Sequence, residues 1–240
     1  FESQEKIGEI NVLTGALTYN NGKTLLYNDV GQEEDGYRRL IYTSNGQMVT
    51  VFKQAWSEPI YFLTDVGNGK KEKDPSRTLK KNGCSFHAVA SILSTKYSSI
   101  TPQKVFNEFG KTPMYASGIK TYLENNYNIK VGDRNEIDKK NYDEYKKHLT
   151  DEVSKGNFVL TTVTKTKDKK YTSNSSHWVV VVDYDSETDE FYISDSGDKN
   201  NLNYEPINVD TFLKKYAVNT NVIYLEDDSS FYNYEINLKN

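Results

Sequence analysis

The stretch KNGCSFHAVASIL (81–93) carries Cys84, the only cysteine of the chain, where a polar loop turns into a helix. A thiol at a helix start sits at the positive end of the macrodipole, beside backbone N–H groups without helical partners. Both favour the thiolate over the thiol. The same N–H groups can receive an oxyanion. Flanking Gly83 and Ser85 are small, so a substrate backbone could come close. A lone cysteine is more often a small buried hydrophobe, and a nucleophile also needs a base. His177 is the candidate: it follows the polar loop KDKKYTSNSS and opens the most hydrophobic strand, HWVVVVDY. Asp195, in YISDSG, could orient that imidazole; its plainer reading is a turn starter before Gly197. The chemistry on offer is thiolate attack on a carbonyl, with the Cys84 sulfur within about 4 Å of a His177 ring nitrogen.

The elements that must position these groups can be read from pattern. If 177–184 and 190–195 pair as a hairpin around SETD, Asp195 falls one to three rungs from His177. At about 3.4 Å per rung, a suitable register or a bulge brings the two into contact. Asp183 and Asp185 lie further along the first strand and are weaker candidates. The Cys84 helix should run to about Thr95, with Val89, Ile92 and Leu93 facing the core. Thr101 and Pro102 open a second helix that Gly110 ends. A third covers about 118–126, and a fourth about 141–155 before Gly156. Then the texture changes to the β-branched and aromatic strands FVLTTVT, HWVVVVDYD, EFYISD and NVIYLE, with one short helix at 209–217. Helices first and antiparallel strands after them mean an α+β domain.

Residues 1–50 read as short strands with Asn-Gly turns at 21–22 and 45–46. They are expected to form a β-rich extension or accessory subdomain, and 51–240 the main domain. Residues 54–82 read as loop, with VGNGKKEKDPS the most polar part. The extension could instead be a pro-segment over the cleft, although packing on the domain is preferred.

Charged residues make up 27% of the chain and apolar ones 36%, as in a soluble globular protein. No apolar run reaches the ~20 residues of a membrane span. The net charge of −4, with lysines scattered among acids, does not suit a nucleic-acid surface. One cysteine allows no internal disulfide, and with three histidines makes a structural zinc site a poor fit. No cofactor or metal is called for. The start at Phe1 rather than Met suggests a removed leader and a secreted or cell-surface protein. A monomer is expected.

Together these segments resemble the papain-like cysteine peptidases, most closely the branch of the double-glycine leader peptidases that process bacteriocins. The matching pieces are KQAWSEP with Gln54, TLKKNGCSFHAVASIL with Cys84, SHWVVVVDYD with His177, and FYISDSG with Asp195. Their order agrees over about 52–226, in a form without an ATP-binding loop. The resemblance implies a papain-like fold acting on a peptide or protein substrate through a Cys84–His177–Asp195 triad. It implies that the Gln54 amide donates to the oxyanion beside the N–H of Cys84. Gly83, Ser85 and Trp178 are expected to line the substrate site. Two departures bear on the substrate: Ser85-Phe86-His87 stands where the family has Gly-Pro-Thr, and Ser196 where it has Pro. His87, one turn after Cys84, is expected to be structural or substrate-facing, and His148 solvated. The same acyl-enzyme could pass to an amine, as in a transglutaminase, and a non-catalytic peptide-binding module is the alternative from another class.

Overall fold

The computed structural model describes residues 8–11, 16–19, 24–25, 38–97, 99–172, 176–197 and 206–225. In chain order, β1 (Gly8–Asn11), β2 (Ala16–Tyr19) and β3 (Thr24–Leu25) form a small antiparallel sheet. The Asn21-Gly22 turn lies outside the described residues. β4 (Arg38–Tyr42) and β5 (Met48–Phe52) pair as a hairpin whose Gly46 takes φ +77°, the left-handed conformation that the Asn45-Gly46 pair signals. A single 3-10 turn (Gln54–Trp56) follows.

The expected loop over 54–82 is not what forms. β6 (Tyr61–Gly67) and β7 (Lys70–Thr78) make a second hairpin, with Asn68 and Gly69 at positive φ at its tip. Phe62 and Thr78 are its buried side chains, and β7, KKEKDPSRT, has no hydrophobic alternation to announce it. It runs into α1 (Leu79–Asn82), α2 (Cys84–Leu93), α3 (Pro102–Glu108) and α4 (Ala116–Tyr127). The Thr101 hydroxyl accepts from the Lys104 N–H as the predicted cap, and Gly110 takes φ +81° past the α3 end. Short β8 (Lys130–Val131) and β9 (Asn135–Glu136) precede α5 (Tyr142–Ser154).

β10 (Phe158–Thr164), β11 (Ser176–Asp185), β12 (Glu190–Ser194), β13 (Ile207–Asn208) and β14 (Ala217–Tyr224) complete the chain's main sheet. The expected helix at 209–217 is split into α6 (Val209–Thr211) and a π-helical turn over Phe212–Tyr216. Sheet order is β13-β12-β11-β10-β14-β8, with β9 also on β14 and all pairs antiparallel.

This sheet is covered on both faces, which is why residues 179–182 are an unbroken run of valine instead of alternating. Val180 and Val182 join Phe158, Leu160 and α2 in one core. Val179 and Val181 join Val159, Val163, α5 residues Leu149 and Val153, and Phe212 in the other. α2 itself is buried from Ser85 to Leu93. Serines let it lie close to its neighbours: Ser94 Oγ accepts from Thr50 N–H at 2.8 Å, and Ser194 Oγ donates to Ser91 Oγ at 3.1 Å. Ile41, Val49, Val51 and Phe52 put the β4–β5 hairpin into the α2-side core. The chain is α+β, as its pattern suggests.

Candidate active site

Four short segments meet at the start of α2. The first is Cys84 itself, half-buried at the first helical position. Gly83 before it is fixed by packing: a Cβ there would come 2.3 Å from the Leu79 carbonyl oxygen, so only glycine lets α1 run this tightly into α2. Ser85 is buried, at 5% exposure, and its backbone N–H points to the Cys84 sulfur, as does that of Trp178.

The second segment is the head of β11. His177 is buried and its Nε2 lies 2.6 Å from Asp195 Oδ1. That leaves Nδ1 for the hydrogen bond that His177 makes with the Cys84 thiol. Burial alone would push the thiol up. The His177 hydrogen bond and charge, with the two backbone N–H groups, outweigh it and hold Cys84 below its ordinary range. Burial alone would likewise lower His177, but the Asp195 charge and hydrogen bond and the contact with Cys84 raise it, to about 10. The two shifts point the same way: toward a thiolate beside an imidazolium.

The third segment follows β12. Its register explains how Asp195 reaches His177. From the turn, Asp185 pairs with Glu190 and Asp183 with Tyr192, but beyond them Val181 pairs with Ile193 and Val180 with Ser194. Val182 is the extra residue of a β-bulge. Continued without it, the turn register would set Asp195 opposite Val180, on the same face as Trp178. With it, Asp195 falls opposite Val179 and shares a face with His177, two rungs away. Asp195 is fully buried, and its Oδ1 also accepts the Gly197 N–H at 2.8 Å. A Cβ on Gly197 would stand 2.9 Å from His177 Nε2, so the turn after Asp195 closes against the ring only as glycine.

The fourth segment is the 3-10 turn carrying Gln54. Its backbone N–H donates to the Ser196 carbonyl at 2.9 Å, tying it beside Asp195, and Ser57 N–H closes the turn on the Gln54 carbonyl at 3.2 Å. The structure thus brings Gln54, Cys84, His177 and Asp195 into one neighbourhood. Trp178, half-buried, packs toward the α2-side core with the Arg134 guanidinium 5.6 Å from its ring centre. His148 is exposed on α5. His87 is wholly buried and holds Gly83, one turn back, and Ser57, a partner that its sequence neighbourhood does not indicate. Gly197 was legible only as a turn residue.

Among curated proteins none matches the sequence. In structural comparison the chain is similar to a protein from Bacillus anthracis assigned as a C39-like peptidase. The TM-score is 0.39 at 13% identity, over 60% of this chain and 90% of that one. The family model for the Peptidase_C39 like family matches residues 64–224. That span holds Cys84, His177 and Asp195 and exceeds half of the 240 residues, and by it this chain belongs to the Peptidase_C39 like family, within the papain-like cysteine peptidases.

Proposed function

We propose that the protein is a thiol hydrolase that cleaves peptide or isopeptide bonds in a peptide or protein substrate, without a cofactor. The observation that carries this reading is the hydrogen-bonded chain from Asp195 through both nitrogens of His177 to Cys84. Asp195 fixes the ring, so that Nδ1 faces the sulfur. Cys84 as thiolate attacks the scissile carbonyl, and the new C–S bond leaves an oxyanion. The N–H of Cys84 and the Gln54 side-chain amide donate to that oxygen. The C–N bond then breaks as His177 delivers its proton to the leaving amine, and water hydrolyses the thioester with His177 as base.

The test is a peptide library incubated with the protein, products identified by mass spectrometry and affinity measured separately. Cleavage that disappears in Cys84→Ala while binding persists is expected. Gln54→Ala should bind as before and turn over roughly 10²–10³ more slowly, the scale of losing one oxyanion donor. Binding without cleavage by the unaltered protein, with affinity that Gln54→Ala and Cys84→Ala change, would mean a binding module instead. The thiol itself can be followed by iodoacetamide. Because the Cys84 pKa is lowered, the thiolate survives as pH falls and is lost only through that lowered value. Alkylation should therefore hold its rate to a lower pH than that of an ordinary thiol.

A further inference from the structure

His87 stands one helical turn after Cys84, fully buried, and uses both ring nitrogens. Nδ1 lies 2.7 Å from the Gly83 carbonyl oxygen, and Nε2 2.6 Å from Ser57 Oγ. A carbonyl only accepts, so Nδ1 carries the proton and Nε2 accepts the Ser57 hydroxyl hydrogen. Burial, opposed by the Gly83 bond and helped by the charge of His177, draws its pKa down to about 4. The ring is therefore neutral at ordinary pH and keeps this tautomer.

What the two bonds grip is informative. The Gly83 carbonyl already accepts the N–H of Phe86 at 3.0 Å and of His87 at 3.1 Å, the ordinary helical share. The His87 ring adds a third donor. That carbonyl belongs to the same peptide unit as the Cys84 N–H, and the peptide is planar, so fixing one end aims the other. Donation to the carbonyl also polarises the unit and makes its N–H a stronger donor. At its other end the ring holds Ser57, whose own N–H closes the turn on Gln54.

We infer that His87 is a positioning residue for the oxyanion site: one imidazole sets the orientation of the Cys84 N–H and its spacing from the Gln54 turn. The role rests on the thiol-hydrolase reading. It differs from that of His177, since His87 serves the developing negative oxygen and leaves the thiolate to the other histidine.

Two reactions at the same sulfur separate these roles. Iodoacetamide alkylates by displacement at a saturated carbon and forms no oxyanion. p-Nitrophenyl acetate acylates through a tetrahedral oxyanion and releases p-nitrophenolate. His87→Leu should alkylate within about threefold of the unaltered protein yet acylate roughly 10–100-fold more slowly, short of outright donor loss. Ser57→Ala leaves α2 untouched and should show the same selective defect, smaller at roughly 5–10-fold. His87→Asn, whose amide can still donate to the Gly83 carbonyl, should recover part of it. Should His87→Leu fail to fold, Ser57→Ala and His87→Asn carry the test. Parallel loss of alkylation and acylation would reduce His87 to a structural residue, and acylation at the full rate in these variants would remove its role. If the unaltered protein alkylates at Cys84 but never acylates, the thiol-hydrolase reading fails first and takes this inference with it.

Discussion

The hairpins β4–β5 and β6–β7 flank the Gln54–Ile60 segment, and they are held in opposite ways. β5 lies against α2 with Val49, Val51 and Phe52 buried, and its turn is fastened to the sheet: Ser44 N–H and Oγ donate to the Asp183 carboxylate at 2.7 and 2.6 Å. Gln47 adds a bond to the Gly156 carbonyl at 2.9 Å. β6–β7 instead stands out from its root. Phe62 is its one deeply buried apolar side chain, packed edge-on to Phe106 and Phe86, and Leu63 N–H reaches the Lys111 carbonyl at 2.8 Å. Past that point the ribbon is charged and exposed. One hairpin delivers Gln54 and the other delivers Cys84, yet only the first is clamped along its length. The positioning of the site therefore draws on β4–β5 as core, and on β6–β7 only at its base.

The largest expected effect tests the first half of that contrast. Phe52, at 1% exposure, is the last residue of β5 before the Gln54 turn. Phe52→Ala should cost about 3–5 kcal/mol of unfolding free energy in a denaturant titration, the range for truncating a buried aromatic. A cost under about 1 kcal/mol would mean that the hairpin only leans on the domain.

Next in size is Asp183. It accepts from Ser44 twice and from Tyr184 N–H, and it sits beside the bulge that puts Asp195 on the His177 face. Asp183→Ala should lose about 2–3 kcal/mol, as expected when charge-assisted bonds at a buried site are removed. It should also slow acylation of Cys84, because the bulge loses the residue that anchors it. Unchanged acylation in a folded Asp183→Ala variant would show that the bulge holds itself without the hairpin.

How much of this could be read in advance follows the same division. α2 and α3 were legible because their signals are local: small apolar spacing after Cys84, and Thr101-Pro102 followed by Gly110. The strands of the main sheet were legible as β-branched runs, and the Cys84, His177 and Asp195 segments by type and order. The bulge at Val182 was not, because four consecutive valines give no mark of where one residue is extra; only the partner strand decides it. The β6–β7 ribbon does not announce itself as a hairpin because β7, KKEKDPSRT, is polar on both faces, so the apolar residues of β6 have no patterned partner strand. Its tip carries Asn68-Gly69, the same pair that stands at 45–46 between apolar strands. The His87 contact with Ser57 was out of reach, since the two are 30 residues apart in sequence.

Smaller effects probe the ribbon. The Arg77 guanidinium lies 4.9 Å from the Phe62 ring centre, where it covers the one apolar anchor of β6. Arg77→Ala should cost about 0.5–1 kcal/mol, the worth of a partly exposed cation–π contact. A larger loss would assign the ribbon's root a share in the core beyond Phe62.

The smallest change is expected at Val66. It is 52% exposed, and it falls where the β6–β7 register slips, between the pairs Asp65–Lys71 and Gly67–Lys70, so no cross-strand partner faces it. Val66→Ser removes an apolar group that already stands in water, in a strand whose geometry is set by the Asn68-Gly69 tip and the Asp65 bond to Gly67 N–H at 2.8 Å. Unfolding free energy should stay within about 0.5 kcal/mol, as for surface sites without special contacts. Acylation of Cys84 by p-nitrophenyl acetate should also be unchanged, since so small an acyl donor cannot reach along the ribbon. Cleavage of a long peptide is the discriminating measurement. If Val66→Ser slows it while leaving stability and p-nitrophenyl acetate acylation intact, the ribbon touches substrate, and its freedom from the core is what lets it do so. If all three stay constant, the contrast between the hairpins stands as drawn, one a part of the core and the other joined to it only at the root.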